Sequence, residues 1–153
     1  MAYIVSVKQV QARPLAAAGA RLHPRDVPTH FRPSLDKVWK FLSHYPELRA
    51  GGQNVFLYRH NMDETGAMSI DFGVEVTHRF GAGGDVACVL TPAGEVASTI
   101  HRGPYAGLRA GHDAIQAWMR ANNRQDGGFS WEIYGDWNDD PAKLETEILY
   151  LLR

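Results

Sequence analysis

The sequence predicts an α+β fold: two β-α-β-β units in tandem forming one antiparallel sheet, with two helices on one face and a ligand cleft on the other. Three observations predict it. Two segments, near 34–45 and 105–122, carry apolar residues at helical spacing. Each is followed by two runs rich in β-branched and aromatic residues, parted by turn residues. Each is also preceded by such a run. The order strand, helix, strand, strand thus occurs twice, as pseudo-repeats of about 1–80 and 81–153 within one domain.

Residues 3–10 have high β-branched content and no turn residues, and predict a strand. A second extended run follows at 14–22. The segment 23–33 holds three prolines and is expected to be a loop. The first helix is then expected from Ser34, as N-cap, to Tyr45. Leu35, Val38, Trp39 and Leu42 make its apolar stripe, and Pro46 with Gly51 and Gly52 closes it. Strands are predicted at 54–60 and 68–76, around a turn at 64–66. The glycine-rich stretch 81–84 separates the halves. Runs at 85–90 and 94–101 are extended again. The second helix opens near Gly103, Pro104 and Tyr105 and buries Leu108, Ile115, Trp118 and Met119. Asn122, Asn123, Gly127 and Gly128 end it. Strands at 129–136 and 144–152 complete the chain, around a turn at 138–141.

Composition narrows the function. Hydrophobic residues at 44% and charged residues at 22% exclude general disorder. Sixteen Lys and Arg against seventeen Asp and Glu give a net charge of -1, so no basic excess drives nucleic-acid binding. The single cysteine, Cys88, forms no internal disulfide and excludes a multi-cysteine zinc site. No apolar run approaches the roughly 20 residues of a membrane span, and no signal-peptide core opens the chain. The expectation is a cytoplasmic protein with no direct nucleic-acid partner and no membrane.

Alternation along the strands selects candidate site residues. In the last strand, Ile148, Tyr150 and Leu152 suit the helix-facing core, which sends Glu147, Leu149 and Leu151 to the uncovered face. In the strand before it, Trp131 and Ile133 are core candidates, and Glu132, Tyr134 and Asp136 take the opposite side. On this reading Glu132, Tyr134 and Glu147 share one surface. In the first half, Ile70, Phe72, Val74 and Val76 are core-like while Asp71 and Glu75 face away. Phe56 and Tyr58 share one parity on the adjacent strand, with Tyr58 placed like Tyr134. A face of carboxylates and aromatic rings suits an organic cation: the rings offer π faces and apolar area, and the carboxylate offers counter-charge.

The stretch Ile100-His101-Arg102-Gly103-Pro104-Tyr105-Ala106-Gly107-Leu108, then Trp131-Glu132-Ile133-Tyr134 and Glu145-Thr146-Glu147-Ile148, resembles the GyrI-like small-molecule-binding family. That family includes effector-binding domains of AraC- and MerR-type regulators and stand-alone proteins. The match is closest from about Gly94 onward. The first half fits in layout, through Asp71-Phe72-Gly73-Val74-Glu75-Val76. The resemblance implies a ligand groove between the two halves, with Glu132 and Glu147 at the acidic positions and Tyr134 in the groove. Leu149 stands where other members carry an aromatic residue. No helix-turn-helix or zipper is recognisable, so a complete one-component transcription factor is not expected. A separate regulator protein is one partner that the resemblance allows.

Three functions follow as alternatives. The first is binding of amphipathic aromatic or cationic small molecules by Glu147, Glu132, Tyr134, Tyr58, Phe56, Trp137, Asp71 and Leu149. The second, implied by stand-alone members of the family, is hydrolysis of strained cyclopropane-bearing electrophiles. In it Glu147 or Glu132 activates water, and Trp137 and Tyr134 form walls. The third is a protein-interaction module of the gyrase-inhibitor type.

Other constellations carry little. The histidines at 23, 30, 44, 60, 78, 101 and 112 form no zinc-binding helix pair, and no metal or other cofactor is indicated. Residues 81–84 lack the lysine and serine or threonine of a phosphate loop. Cys88 lies in an apolar run and suits a buried position. No Gly-x-Ser-x-Gly elbow supports a serine hydrolase.

Overall fold

A computed structural model of the chain describes residues 2–81 and 84–153, the side chain of Ala50 apart. The expected turn at 81–84 therefore lies partly outside the described residues. Among the described residues there are eight strands and two α-helices: β1 (Ser6–Val10), β2 (Pro14–Leu22), α1 (Val27–Ser43), β3 (Arg49–Arg59), β4 (Met68–Val76), β5 (Ala87–Leu90), β6 (Gly94–Arg102), α2 (Leu108–Ala121), β7 (Asp126–Tyr134) and β8 (Glu145–Leu152). Every described strand pair is antiparallel. This is an α+β fold.

The chain divides into two compact units, one of residues 12–91, the other of residues 1–11 with 92–153. In the first, the strand order is β3-β4-β2-β5; in the second it is β7-β8-β6-β1. The registers repeat. Leu15 pairs with Glu75 and Arg21 with Ser69, as Val96 pairs with Leu151 and Arg102 with Glu145. The outer strand of each unit comes from the stretch of chain that leads into the other unit's first strand. β1 precedes β2 but pairs with β6, and β5 precedes β6 but pairs with β2.

α1 starts earlier than the prolines suggest. A 3-10 turn covers Pro24–Asp26, and the helix runs from Val27 with Pro33 inside it. Pro28 sits in the first turn, where a missing N–H costs nothing. Pro33 forfeits one helical hydrogen bond, a cost of about 3 kcal/mol. Burial of Leu35, Val38 and Leu42, each worth roughly 1.5–3 kcal/mol, outweighs it. α2 buries Gly111, Ile115 and Met119. Ile115 and Met119 join Ala97, Ile148, Tyr150 and Leu152 in one cluster, with Leu108 and Trp118 packed at its margin.

Gly51 and Gly52, and likewise Gly127 and Gly128, do not end helices. They lie in β3 and β7, each at a break in register with the neighbouring strand. A Cβ on Gly52 would sit 2.1 Å from the Glu75 carbonyl oxygen, and one on Gly127 would sit 2.9 Å from that of Leu151. Only glycine lets the strands approach this closely.

Register also corrects the assignment of faces. Residues directly opposite in an antiparallel pair share a face. Glu132 lies opposite Ile148 and Tyr134 opposite Thr146, so both point toward α2; Trp131 and Ile133 lie opposite Leu149 and Glu147, away from it. In the other unit Phe56 and Tyr58 lie opposite Phe72 and Ile70, and Phe31 of α1 packs on Phe56 at 5.7 Å. These two rings are helix-side core, while Asp71 faces away opposite Leu57. The faces away from the helices are not bare: Trp131 is 3% exposed and Leu149 2%.

Candidate functional site

The helix-facing side of β7 and β8 carries a continuous polar network. Glu132 is only 4% exposed. His112 of α2 lies with Nε2 2.6 Å from Glu132 Oε2, and the Tyr134 hydroxyl donates to Oε1 at 2.7 Å. The other ring nitrogen, His112 Nδ1, is 2.7 Å from the Tyr150 hydroxyl, which also accepts from Gln116 Nε2 at 3.2 Å. Burial pushes the Tyr150 phenol up to about 12, and the nearby Glu132 charge adds to this. Tyr105 stands edge-on to Tyr134 with ring centroids 5.4 Å apart, is 37% exposed, and has its phenol raised by burial.

Local sequence explains each placement. Gly103 takes φ 130 and Pro104 follows, so the chain turns sharply off β6 into a 3-10 turn that holds Tyr105. His101 locks that turn: its Nε2 is 2.9 Å from the Pro104 carbonyl and its Nδ1 2.8 Å from the Tyr3 hydroxyl. His112 follows Gly111, which is buried in α2 and allows a close approach to Ile148.

The counterpart of this network in the other unit is apolar. The β3 residue that matches Glu132 in register is Phe56, and the helix residue against it is Phe31. The architecture fills this place with two aromatic rings just as well, so packing alone does not demand a carboxylate and an imidazole there.

The remaining predicted residues lie elsewhere. Glu147 is on the face away from α2, 2.5 Å from Lys8 Nζ and 3.2 Å from the Ser98 hydroxyl. It borders a groove of about 450 Å³ beside β1, together with Tyr3, Ile4, Ser6 and Ile100. Asp71 occupies the matching position of the other unit and pairs with Arg59 at 2.6 Å. Burial raises its carboxyl, while Arg59 acts in the opposite sense. Glu147 and Asp71 thus each already have a basic partner. Trp137, 71% exposed, bonds Asp139 and forms no wall of either place. His112, Tyr105, Tyr150 and Gln116 were not singled out from sequence. The position of His112 on the inner face of α2, four residues after Leu108, was the available signal. Among the described residues, no group of three or more His, Cys, Asp and Glu is placed to hold a metal ion. Among them also, no helix is long and apolar enough to cross a membrane.

The model of the GyrI-like small molecule binding domain matches residues 5–153. The chain belongs to that family. Solved structures agree in fold. The EcmrR C-terminal domain superposes with a TM-score of 0.82 at 20% identity, covering 100% of this chain and 99% of that one. SAV2435, solved bound to tetraphenylphosphonium, gives 0.68 at 13% identity, covering 100% and 94%. A hydrolase from Listeria innocua gives 0.65 at 11% identity, covering 97% and 91%. Identities this low establish the GyrI-like fold and nothing finer. No curated protein matches the chain.

Proposed function

We propose that this GyrI-like domain binds amphipathic aromatic cations, with Glu132 as the counter-charge and Tyr134 and Tyr105 as ring surfaces. One observation carries the reading: a nearly buried carboxylate sits among tyrosines where the matching unit has Phe31 and Phe56. A buried charge is costly and is a common feature of functional sites; here His112 and Tyr134 hold the carboxylate in place. Glu147 is the second candidate: it is the more exposed of the two and lies in a surface ion pair with Lys8, away from the tyrosines around Glu132. The tetraphenylphosphonium bound by SAV2435 is a cation of this class and a suitable probe.

Calorimetric titration with tetraphenylphosphonium tests the assignment. Opposite charges about 4 Å apart at an effective dielectric near 20 attract by roughly 4 kcal/mol. Losing a third of that weakens binding about tenfold. Glu132→Gln is expected to lose at least that much, and Glu147→Gln less than about twofold. The reverse order would move the site to the groove beside β1.

A second reading is ring-opening hydrolysis, favoured by the contact between Glu132 and His112: a carboxylate beside an imidazole is a general-base arrangement. Incubation with an electrophilic cyclopropane followed by mass spectrometry separates the readings. A product heavier by one water, absent with Glu132→Gln, marks an enzyme; retention of unchanged compound marks a binder.

A further inference from the structure

We propose that Thr146 extends the Glu132 site and selects aromatic cations that carry an N–H group: Glu132 meets the charge, and Thr146 Oγ1 accepts a hydrogen bond from the ligand's ammonium. The proposal rests on the cation-binding reading above and narrows the cation to that subclass.

Thr146 is fully buried, and its hydroxyl oxygen has no hydrogen-bond partner. Among the described residues one other buried side-chain atom shares this condition, Asn54 Oδ1, which belongs to the other unit and borders the register break of β3. A buried hydroxyl without a partner costs free energy, so such a position calls for an explanation. Its neighbours across the sheet do not supply the partner. His101 lies directly opposite on β6 and Tyr134 directly opposite on β7. Both His101 ring nitrogens are engaged, by Tyr3 and the Pro104 carbonyl, and the Tyr134 hydroxyl donates to Glu132.

The other unit shows that the fold does not need a hydroxyl at this place. Tyr134 faces Thr146 across β7 and β8, as Tyr58 faces Ile70 across β3 and β4. Ile70 is buried, so the matching position is filled by a wholly apolar side chain. Glu132 and Thr146 thus replace Phe56 and Ile70 on the helix-facing side of the sheet. Two polar replacements at neighbouring positions of one face favour a ligand over packing as their cause.

Register places both groups within reach of one ligand. Glu132 lies opposite Ile148, and Thr146 is two residues before Ile148 on the same face. Diagonal neighbours of this kind are about 7–8 Å apart. An ammonium that donates over about 2.9 Å to each of two oxygens bridges roughly 5 Å between them, and the Glu132 side chain covers the remainder. Tyr134 and Tyr105 stand beside this span and meet the ligand's rings. A phosphonium has no N–H and leaves Thr146 without a partner, whereas a protonated amine supplies one. A site that hydrogen-bonds its ligand rejects an analogue lacking the matching group far more strongly than an apolar wall rejects a change of size.

The test is calorimetric titration at pH 7 with two cations of similar shape: triphenylmethylammonium, which has N–H donors, and methyltriphenylphosphonium, which has none. Thr146→Val keeps the shape of the side chain and removes the hydroxyl; Thr146→Ser keeps the hydroxyl. The ratio of ammonium to phosphonium affinity is expected to fall about tenfold in Thr146→Val, through loss of one hydrogen bond to a charged group, and to hold within about threefold in Thr146→Ser. The urea midpoint of Thr146→Val is expected to stay or to rise, since the hydroxyl removed has no partner. A lowered midpoint would show that the hydroxyl already serves the fold, and overturns the proposal. An unchanged ratio in Thr146→Val overturns it as well, and so does a ratio lost equally in Thr146→Ser. Wild-type binding of the phosphonium without the ammonium also overturns it and leaves cation binding intact. Binding of neither cation overturns the cation-binding reading itself, and this proposal with it.

Discussion

Glu132 lies directly across the β7–β8 ladder from Ile148, not from Glu147. That single step of register decides which carboxylate meets α2 and its His112, and which meets Lys8 of the outer strand. The two acids differ accordingly: one is nearly buried in a directional network, the other half-buried in a surface ion pair.

The Lys8–Glu147 pair should therefore behave as a surface interaction. Its side chains are 45% and 25% exposed. A double-mutant cycle of Lys8→Ala and Glu147→Gln, followed by urea unfolding, is expected to give a coupling of about 0.2–1 kcal/mol that shrinks in 1 M salt. A larger, salt-insensitive coupling would place the pair in a much drier setting than the structure gives it.

Tyr150 supplies a pH signature for the buried network. Its phenol is raised to about 12 by burial, the Gln116 contact opposing and the Glu132 charge adding to the shift. The unfolded chain releases that proton near pH 10, so the folded state binds more protons between pH 10 and 12. The stability it contributes is complete below pH 10 and is lost as pH rises toward 12, a change of about 2 kcal/mol. Ultraviolet titration of the six tyrosines should show a step near pH 12 that Tyr150→Phe removes.

How far the sequence reveals this arrangement follows from the physics of its strands. The helix stripe Leu35, Val38 and Leu42 is legible because only one face of α1 is apolar. The β8 core residues Ile148, Tyr150 and Leu152 are legible for the same reason, two glutamates having marked the other parity. β7 is not legible in this way. Trp131 and Ile133 are more apolar than Glu132 and Tyr134, yet they face away from α2, because that face is itself buried at Trp131 and Leu149. Where both faces of a strand are covered, alternation gives two sets of side chains but does not say which set meets the helix. The glycine pairs misled for a related reason: Gly51-Gly52 and Gly127-Gly128 follow helices and resemble their stops, whereas their requirement is a close approach between strands.

That requirement can be measured. Gly52→Ala would place its Cβ 2.1 Å from the Glu75 carbonyl oxygen, a backbone atom that cannot turn aside. The strands must separate, and a loss of about 2 kcal/mol or more is expected in urea unfolding. Gly81→Ala is the control. Nothing lies within 4 Å of its Cβ, and a change below about 0.5 kcal/mol is expected. Equal effects at the two positions would argue against the bulged approach of β3 to β4.

The turn that carries Tyr105 should depend on a residue near the start of the chain. His101 is buried, its Nε2–H donates to the Pro104 carbonyl, and its Nδ1 accepts from the Tyr3 hydroxyl 2.8 Å away. The two rings also stack, with centroids 6.0 Å apart. Tyr3→Phe keeps the stacking but leaves a buried imidazole nitrogen without its donor, which costs roughly 1–2 kcal/mol. Stability should fall by that amount. Tetraphenylphosphonium affinity should fall with it if Tyr105 contributes a ring surface, because the loosened turn holds Tyr105 less firmly against Tyr134. Tyr105→Ala should then make the Tyr3→Phe effect on affinity disappear while its effect on stability remains.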